Sequence, residues 1–175
     1  MPKVTIARPA PSEHVPYYSR YIDLVADGDL LSTLDRQGKQ TAKLLRGVSP
    51  KKSQFRYAPD KWSVREVLGH LIDSERVFTY RAITFARADT TSLPAFDENA
   101  WARASNAGER PLGDLVKEFE AVRSATLGLF RGFDADQISR VGTANNSPVS
   151  VRALAWIVAG HEKHHVNILK ERYGV

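Results

Sequence analysis

Residues 150–173 read SVRALAWIVAGHEKHHVNILKERY. The apolar residues of this run recur at the three- and four-residue spacing of an amphipathic helix: Val151, Leu154, Ala155, Val158, Ile168 and Leu169. His161 and His165 fill the gap in the apolar stripe. Two imidazoles four residues apart lie on one helix face, so they can bind one metal ion together. A third protein ligand is then needed, normally from a facing element.

The remaining ligands must supply nitrogen or oxygen, because the chain contains no cysteine. His70 lies in a second helical pattern, whereas His14 lies in a proline-rich lead-in and receives no role. We therefore predict a metal site formed by His70, His161 and His165, with the open position of a catalytic site. Imidazole nitrogen suits several divalent metals, and we expect zinc or nickel, with iron or manganese as alternatives.

Three polar residues near these histidines are candidates for supporting roles. His164 could replace His165 as a ligand, although we favour a pocket residue that moves protons. Asp73, one turn along the second helical pattern, is the candidate to orient a ligand, since metal-bound imidazoles usually donate their other N–H to a carboxylate or carbonyl. Glu162 is either a base or one side of a salt bridge. The competing interpretation is a structural bundle whose core histidines bind no metal.

The whole chain divides into an N-terminal arm and one helical domain. Residues 1–16 contain four prolines and predict an extended arm, and residues 17–175 predict a single domain. After a short helical segment at 17–25, long helices are expected at about 29–45, 63–87, 112–132 and 150–173, with no strand between them. The sequence therefore predicts an all-α four-helix bundle, whose links at 46–62 and 88–111 are long enough for crossovers.

Glu75 falls on the apolar stripe of the second long helix. An isolated carboxylate in a core is costly, so this residue needs an arginine, a histidine hydrogen bond or a metal as its partner. The sequence does not choose among the three.

Composition restricts the classes of function. The 175 residues are 42% hydrophobic and 26% charged, which is typical of a soluble globular protein. Neither a membrane-spanning run of about 20 apolar residues nor a signal-peptide pattern is visible, so a cytoplasmic location is expected. The formal charge of +5 comes from basic residues interspersed with acidic ones. Because no basic run with interleaved aromatics occurs, a nucleic-acid surface is not predicted.

Two segments together resemble the DinB/YfiT-like superfamily: KWSVREVLGHLIDSE at 61–75 and GHEKHH at 160–165. The resemblance implies an up-down-down-up four-helix bundle with a divalent metal bound by His70, His161 and His165. It also implies a possible homodimer. Relatives of this kind include S-transferases that use bacillithiol or mycothiol, and a mycothiol-dependent maleylpyruvate isomerase.

Two functional hypotheses follow from these observations. In the first, the protein is a metal-dependent enzyme acting on a small molecule, which activates a low-molecular-weight thiol as an S-transferase or water as a hydrolase. In the second, it is a non-enzymatic metal-binding or stress-response module. Metal binding without turnover would favour the second hypothesis.

Overall fold

The computed structural model describes residues 5–175, so residues 1–4 of the predicted arm lie outside the described range. Within that range the chain forms these α-helices: α1 (Ser19–Ile22), α2 (Leu30–Arg46), α3 (Pro50–Ser53), α4 (Val64–Ala86), α5 (Glu98–Ala104), α6 (Leu112–Arg131), α7 (Ala135–Ser139) and α8 (Val151–Tyr173). The four long helices confirm the predicted elements to within a few residues. None of the described helices is both long and apolar enough to cross a membrane.

The helix starts follow from local hydrogen bonding. Ser63 and Glu66 form a capping box, in which Ser63 N donates to Glu66 Oε2 at 2.7 Å and Glu66 N donates to Ser63 Oγ at 3.3 Å. Ser150 Oγ accepts from Ala153 N at 3.0 Å at the start of α8. These bonds satisfy backbone donors that the first helical turn leaves without partners.

The direction of each long helix is visible in two core clusters, one at each end of the bundle. One cluster joins the start of α2 and of α8 to the end of α4 and of α6. The other joins the end of α2 and of α8 to the start of α4 and of α6. Helices α2 and α8 therefore run one way and α4 and α6 the other. This is the predicted up-down-down-up four-helix bundle.

A short hairpin interrupts the helical architecture, and the expectation of no strand was wrong. Strands β1 (Val141–Ala144) and β2 (Ser147–Ser150) pair antiparallel, with Val141 opposite Ser150. Asn145 and Asn146 form the turn with φ of 51° and 56°, the left-handed conformation that two-residue hairpin turns use. A Cβ atom at Gly142 would overlap the Phe85 ring, so the hairpin packs tightly on α4.

The described part of the N-terminal segment lies against α8. Ile6 is only 3% exposed, and the Trp156 Nε1–H group donates to Ala7 O at 3.0 Å. Glu13 pairs with Arg152 at 2.6 Å. These contacts hold residues 5–16 on the body of the protein.

Candidate metal centre

The three histidines predicted as ligands meet between α4 and α8. His70 Nε2 lies 3.0 Å from His161 Nε2, and one ligand atom from each of His70, His161 and His165 lies within 4.8 Å of the others. The antiparallel arrangement of α4 and α8 produces this meeting, since His70 faces the middle of α8. His70 and His161 are buried, whereas His165 is partly buried.

Aromatic side chains surround the imidazoles. The rings of Tyr21 and Phe78 contact His161 edge to face, with centroid distances of 5.3 and 5.7 Å. Trp62 lies 4.7 Å from the His70 ring on the other side. These rings pack against the imidazoles, and the packing restricts how far each imidazole can turn.

Burial keeps the imidazoles uncharged. It lowers the pKa of His70 to about 4. Burial, followed by the charge of neighbouring imidazoles, also lowers the pKa of His161 and His165 well below the usual value. Neutral imidazoles keep a free lone pair, which is the form that binds a metal. The donor set therefore fits a divalent ion such as zinc or nickel.

Ser74, rather than Asp73, is the side chain that touches a candidate ligand. Its hydroxyl lies 3.4 Å from His70 Nδ1, which directs His70 Nε2 toward the other two histidines. Asp73 does not line the cavity beside the histidines, and its nearest cation is Arg76 at 3.7 Å. The structure therefore gives no hydrogen bond for the predicted orienting role of Asp73. The four-residue spacing of His70 and Ser74 could have indicated this contact from the sequence, because residues four apart lie on the same face of a helix.

A cavity of about 490 Å³ opens beside the histidines, which is a size suited to a small organic molecule. His164 lines this cavity with the three candidate ligands, as predicted for a pocket residue. Half of the sixteen other lining residues are aromatic, and the lining includes Tyr17, Tyr18, Arg20, Tyr21, Trp62, Phe78 and Phe96. The Arg20 guanidinium lies over the Tyr17 and Tyr21 rings at 4.6 and 5.1 Å.

A second polar network lies beside the histidines, on an adjacent face of α8. Arg123 of α6 forms two hydrogen bonds to Glu75, at 2.7 and 2.8 Å, and one to Glu162 at 2.7 Å. Thr41 Oγ1 donates to Glu162 at 2.6 Å. Glu75 thus has an arginine partner, one of the three possibilities considered, and Glu162 is a salt-bridge residue rather than a base. Sequence reasoning missed Arg123.

The lowered histidine pKa values predict how the metal-free protein responds to acid. Unfolded histidines bind protons below about pH 6.5, while folded His70 resists protonation until about pH 4. The unfolded state therefore binds more protons in this window, and the stability of the fold decreases as the pH falls through it. We expect His70 alone to contribute a loss on the order of 3 kcal/mol between pH 7 and pH 4.

Urea unfolding of metal-free protein at several pH values measures this loss. A His70→Gln variant is the control, because it removes the titrating group but keeps a polar side chain of comparable reach. Its stability should depend less on pH across the same window. Equal pH dependence in the variant and the wild type would contradict the pKa assignment.

Comparisons with known proteins agree with this architecture. The family model of the DinB superfamily matches residues 33–169, most of the chain. A relative from Oceanobacillus iheyensis, named a putative metal-dependent hydrolase, is 25% identical over 116 residues; the match covers 65% of this chain and 66% of that relative, just under two thirds of its length. The solved structure of YfiT from Bacillus subtilis is similar with a TM-score of 0.67 and 20% identity, covering 95% of this chain and 93% of that one. It is described as a probable metal-dependent hydrolase with an unusual four-helix bundle topology.

Proposed function

The chain belongs to the DinB superfamily, and we propose that it is a metal-dependent enzyme in which His70, His161 and His165 bind one divalent ion beside the cavity. The observation that carries this proposal is the convergence of three neutral imidazoles on the wall of a 490 Å³ cavity. The descriptions of the two relatives as metal-dependent hydrolases support it.

Each surrounding residue has a defined part in the proposed site. Ser74 holds the ring of His70 through Nδ1, and Tyr21 and Phe78 exclude water from the buried side of His161. Burial, followed by the charge of Arg20, lowers the pKa of His164, so its ring is neutral near pH 7 and can accept a proton from a reacting group in the cavity. A divalent ion with an open position supplies Lewis acidity and lowers the pKa of water or a thiol.

Hydrolysis of a small molecule is the first candidate reaction, because both relatives carry that description. Transfer of a low-molecular-weight thiol is the second candidate. The cavity supports it, since the Arg20 guanidinium, which has no carboxylate within 4.0 Å among residues 5–175, suits an anionic thiol, and 490 Å³ leaves room for a second reactant. The chain has no cysteine, so the thiol would come from solution.

A reaction screen on metal-loaded protein tests the proposal. Protein reconstituted with zinc, nickel, iron or manganese would be offered small esters and amides, and separately an aromatic electrophile with and without thiols. We expect metal-dependent turnover that is lost in His161→Ala and kept in His14→Gln, since His14 lies outside the cavity. Turnover without thiol identifies a hydrolase, and turnover that requires thiol identifies a transferase.

The same screen decides against the proposal if no reaction occurs. Tight metal binding without turnover of any substrate would favour the non-enzymatic metal-binding or stress-response module. It would leave the three-histidine site intact but remove the catalytic role of His164.

Assembly and location stay predictions. An apolar groove of about 440 Å³ between α4 and α6 includes the exposed side chains of Tyr80 and Ile83, and a second copy of the chain packed there would form the homodimer. Sedimentation measures this directly. We also expect a cytoplasmic location. We do not expect the protein to bind nucleic acid, because its basic residues are interspersed with acidic ones.

A further inference from the structure

Two arginines are buried within residues 5–175, and they differ in how their charge is balanced. Arg81 and Arg123 are each 4% exposed. Arg123 lies between Glu75 and Glu162, with both ion-pair distances at 2.7 Å. Arg81 donates through Nη2 to Pro94 O at 2.8 Å, but no carboxylate of the described residues lies within 4.0 Å of its guanidinium. Burying a charge without a partner of opposite sign lowers the stability of the fold, so a counterion beside Arg81 would be stabilising.

Arg81 lines a small enclosed cavity beneath the β1–β2 hairpin. The cavity has a volume of about 20 Å³, close to the space that one water-sized particle occupies. Its polar lining consists of Arg81 of α4, Tyr18 from the N-terminal region, and Asn145 and Ser147 of the hairpin. Each of these side chains can donate a hydrogen bond, and no acidic side chain of residues 5–175 lines the cavity.

The charge of Arg81 also affects the pKa of Tyr18. Burial raises the pKa of its phenol, and the positive charge of Arg81 and a hydrogen bond from it partly oppose that rise. The guanidinium therefore acts on the phenol at close range, inside the protein, where charge is poorly screened.

We propose that this cavity is a binding site for a monatomic anion of the halide class, which neutralises Arg81. The size of the cavity favours a single atom over a tetrahedral oxyanion such as phosphate, and the charge of Arg81 beside groups that can all donate hydrogen bonds favours an anion over a cation. The ion would join the N-terminal region, α4 and the hairpin. Tyr18 also lines the cavity beside the histidines, so the ion fixes one wall of that site. The inference does not depend on the proposed enzymatic function.

Thermal unfolding of the full chain in different sodium salts tests this proposal. At equal ionic strength, we expect chloride and bromide to raise Tm above its value in acetate by at least about 2 °C, with saturation as the halide concentration rises. The halide effect should disappear in Arg81→Met. It should persist in Arg36→Met, whose arginine is exposed on α2 and forms no ion pair with a described carboxylate. Equal Tm values in the three salts, or an unchanged halide effect in Arg81→Met, would overturn the proposal.

Crystals of the wild-type protein soaked in bromide give a second measurement, which does not require the variant to fold. We expect an anomalous peak in the cavity, within hydrogen-bonding distance of the Arg81 guanidinium. A cavity that contains no bromide peak, when peaks occur elsewhere on the protein, would show that water solvates Arg81 and would overturn the proposal.

Discussion

Replacement of Arg123 by methionine is expected to lower the free energy of unfolding by about 3–5 kcal/mol, the range for breaking a buried ion pair from one side. The guanidinium bonds to Glu75, Glu162 and the Leu34 carbonyl oxygen, so one side chain connects all four long helices. Methionine fills similar space without charge. It therefore leaves two buried carboxylates, only 4% and 2% exposed, without their cation.

Urea unfolding followed by circular dichroism measures the loss. A triple variant that combines Arg123→Met with Glu75→Gln and Glu162→Gln is the matched control. It replaces the two unpaired carboxylates by neutral amides, so it should recover a large part of the stability. Arg131→Met, at an exposed position of the same helix, should have little effect. A loss below about 1 kcal/mol in Arg123→Met would mean that the network does not stabilise the bundle.

Gly160→Ala should have the second largest effect, a loss of about 3 kcal/mol. A Cβ atom at this position would overlap the Tyr21 carbonyl group and lie 3.0 Å from Tyr21 Cα. Backbone atoms cannot move aside like a flexible side chain, so α1 must shift away from α8. Tyr21 also packs on His161, and the shift should therefore loosen the candidate metal site as well.

Gly128→Ala is the matched control for this change. Gly128 is an exposed helical glycine with no atom within 4 Å of the added Cβ, so alanine should raise stability by up to about 1 kcal/mol through helix propensity. The difference between the two variants in urea unfolding isolates the close approach of α1. A Gly160→Ala protein as stable as Gly128→Ala would show that α1 does not pack on α8 as described.

Much of the fold was predictable because the strongest sequence signals are local. The apolar stripes place the four long helices, and Ser63 and Ser150 mark two of the helix starts through hydrogen bonds that the structure contains. The meeting of His70 with His161 and His165 was also predicted. The four-residue spacing of His161 and His165 on α8 is a local signal. His70 was the histidine that lay in another predicted long helix, so it was the candidate for the third ligand.

The remainder depends on contacts between segments distant in sequence. Strands β1 and β2 have four residues each, too few to display an alternating pattern, and they are held by packing on Phe85. Arg123 looks like any polar residue of an amphipathic helix until Glu75 and Glu162 approach it. His70 lies beside the apolar stripe of α4 rather than on it, yet it is only 8% exposed, because α8 and Trp62 cover that side of α4.

Metal content by mass spectrometry measures whether His70, His161 and His165 bind one divalent ion. Untagged wild-type protein, and the His161→Ala and His14→Gln variants, would be measured as purified and after reconstitution with zinc, nickel and manganese. We expect close to one ion per chain in the wild type and in His14→Gln, and almost none in His161→Ala at unchanged helix content. Full metal occupancy in His161→Ala, or no metal in the reconstituted wild type, would disprove the three-histidine site.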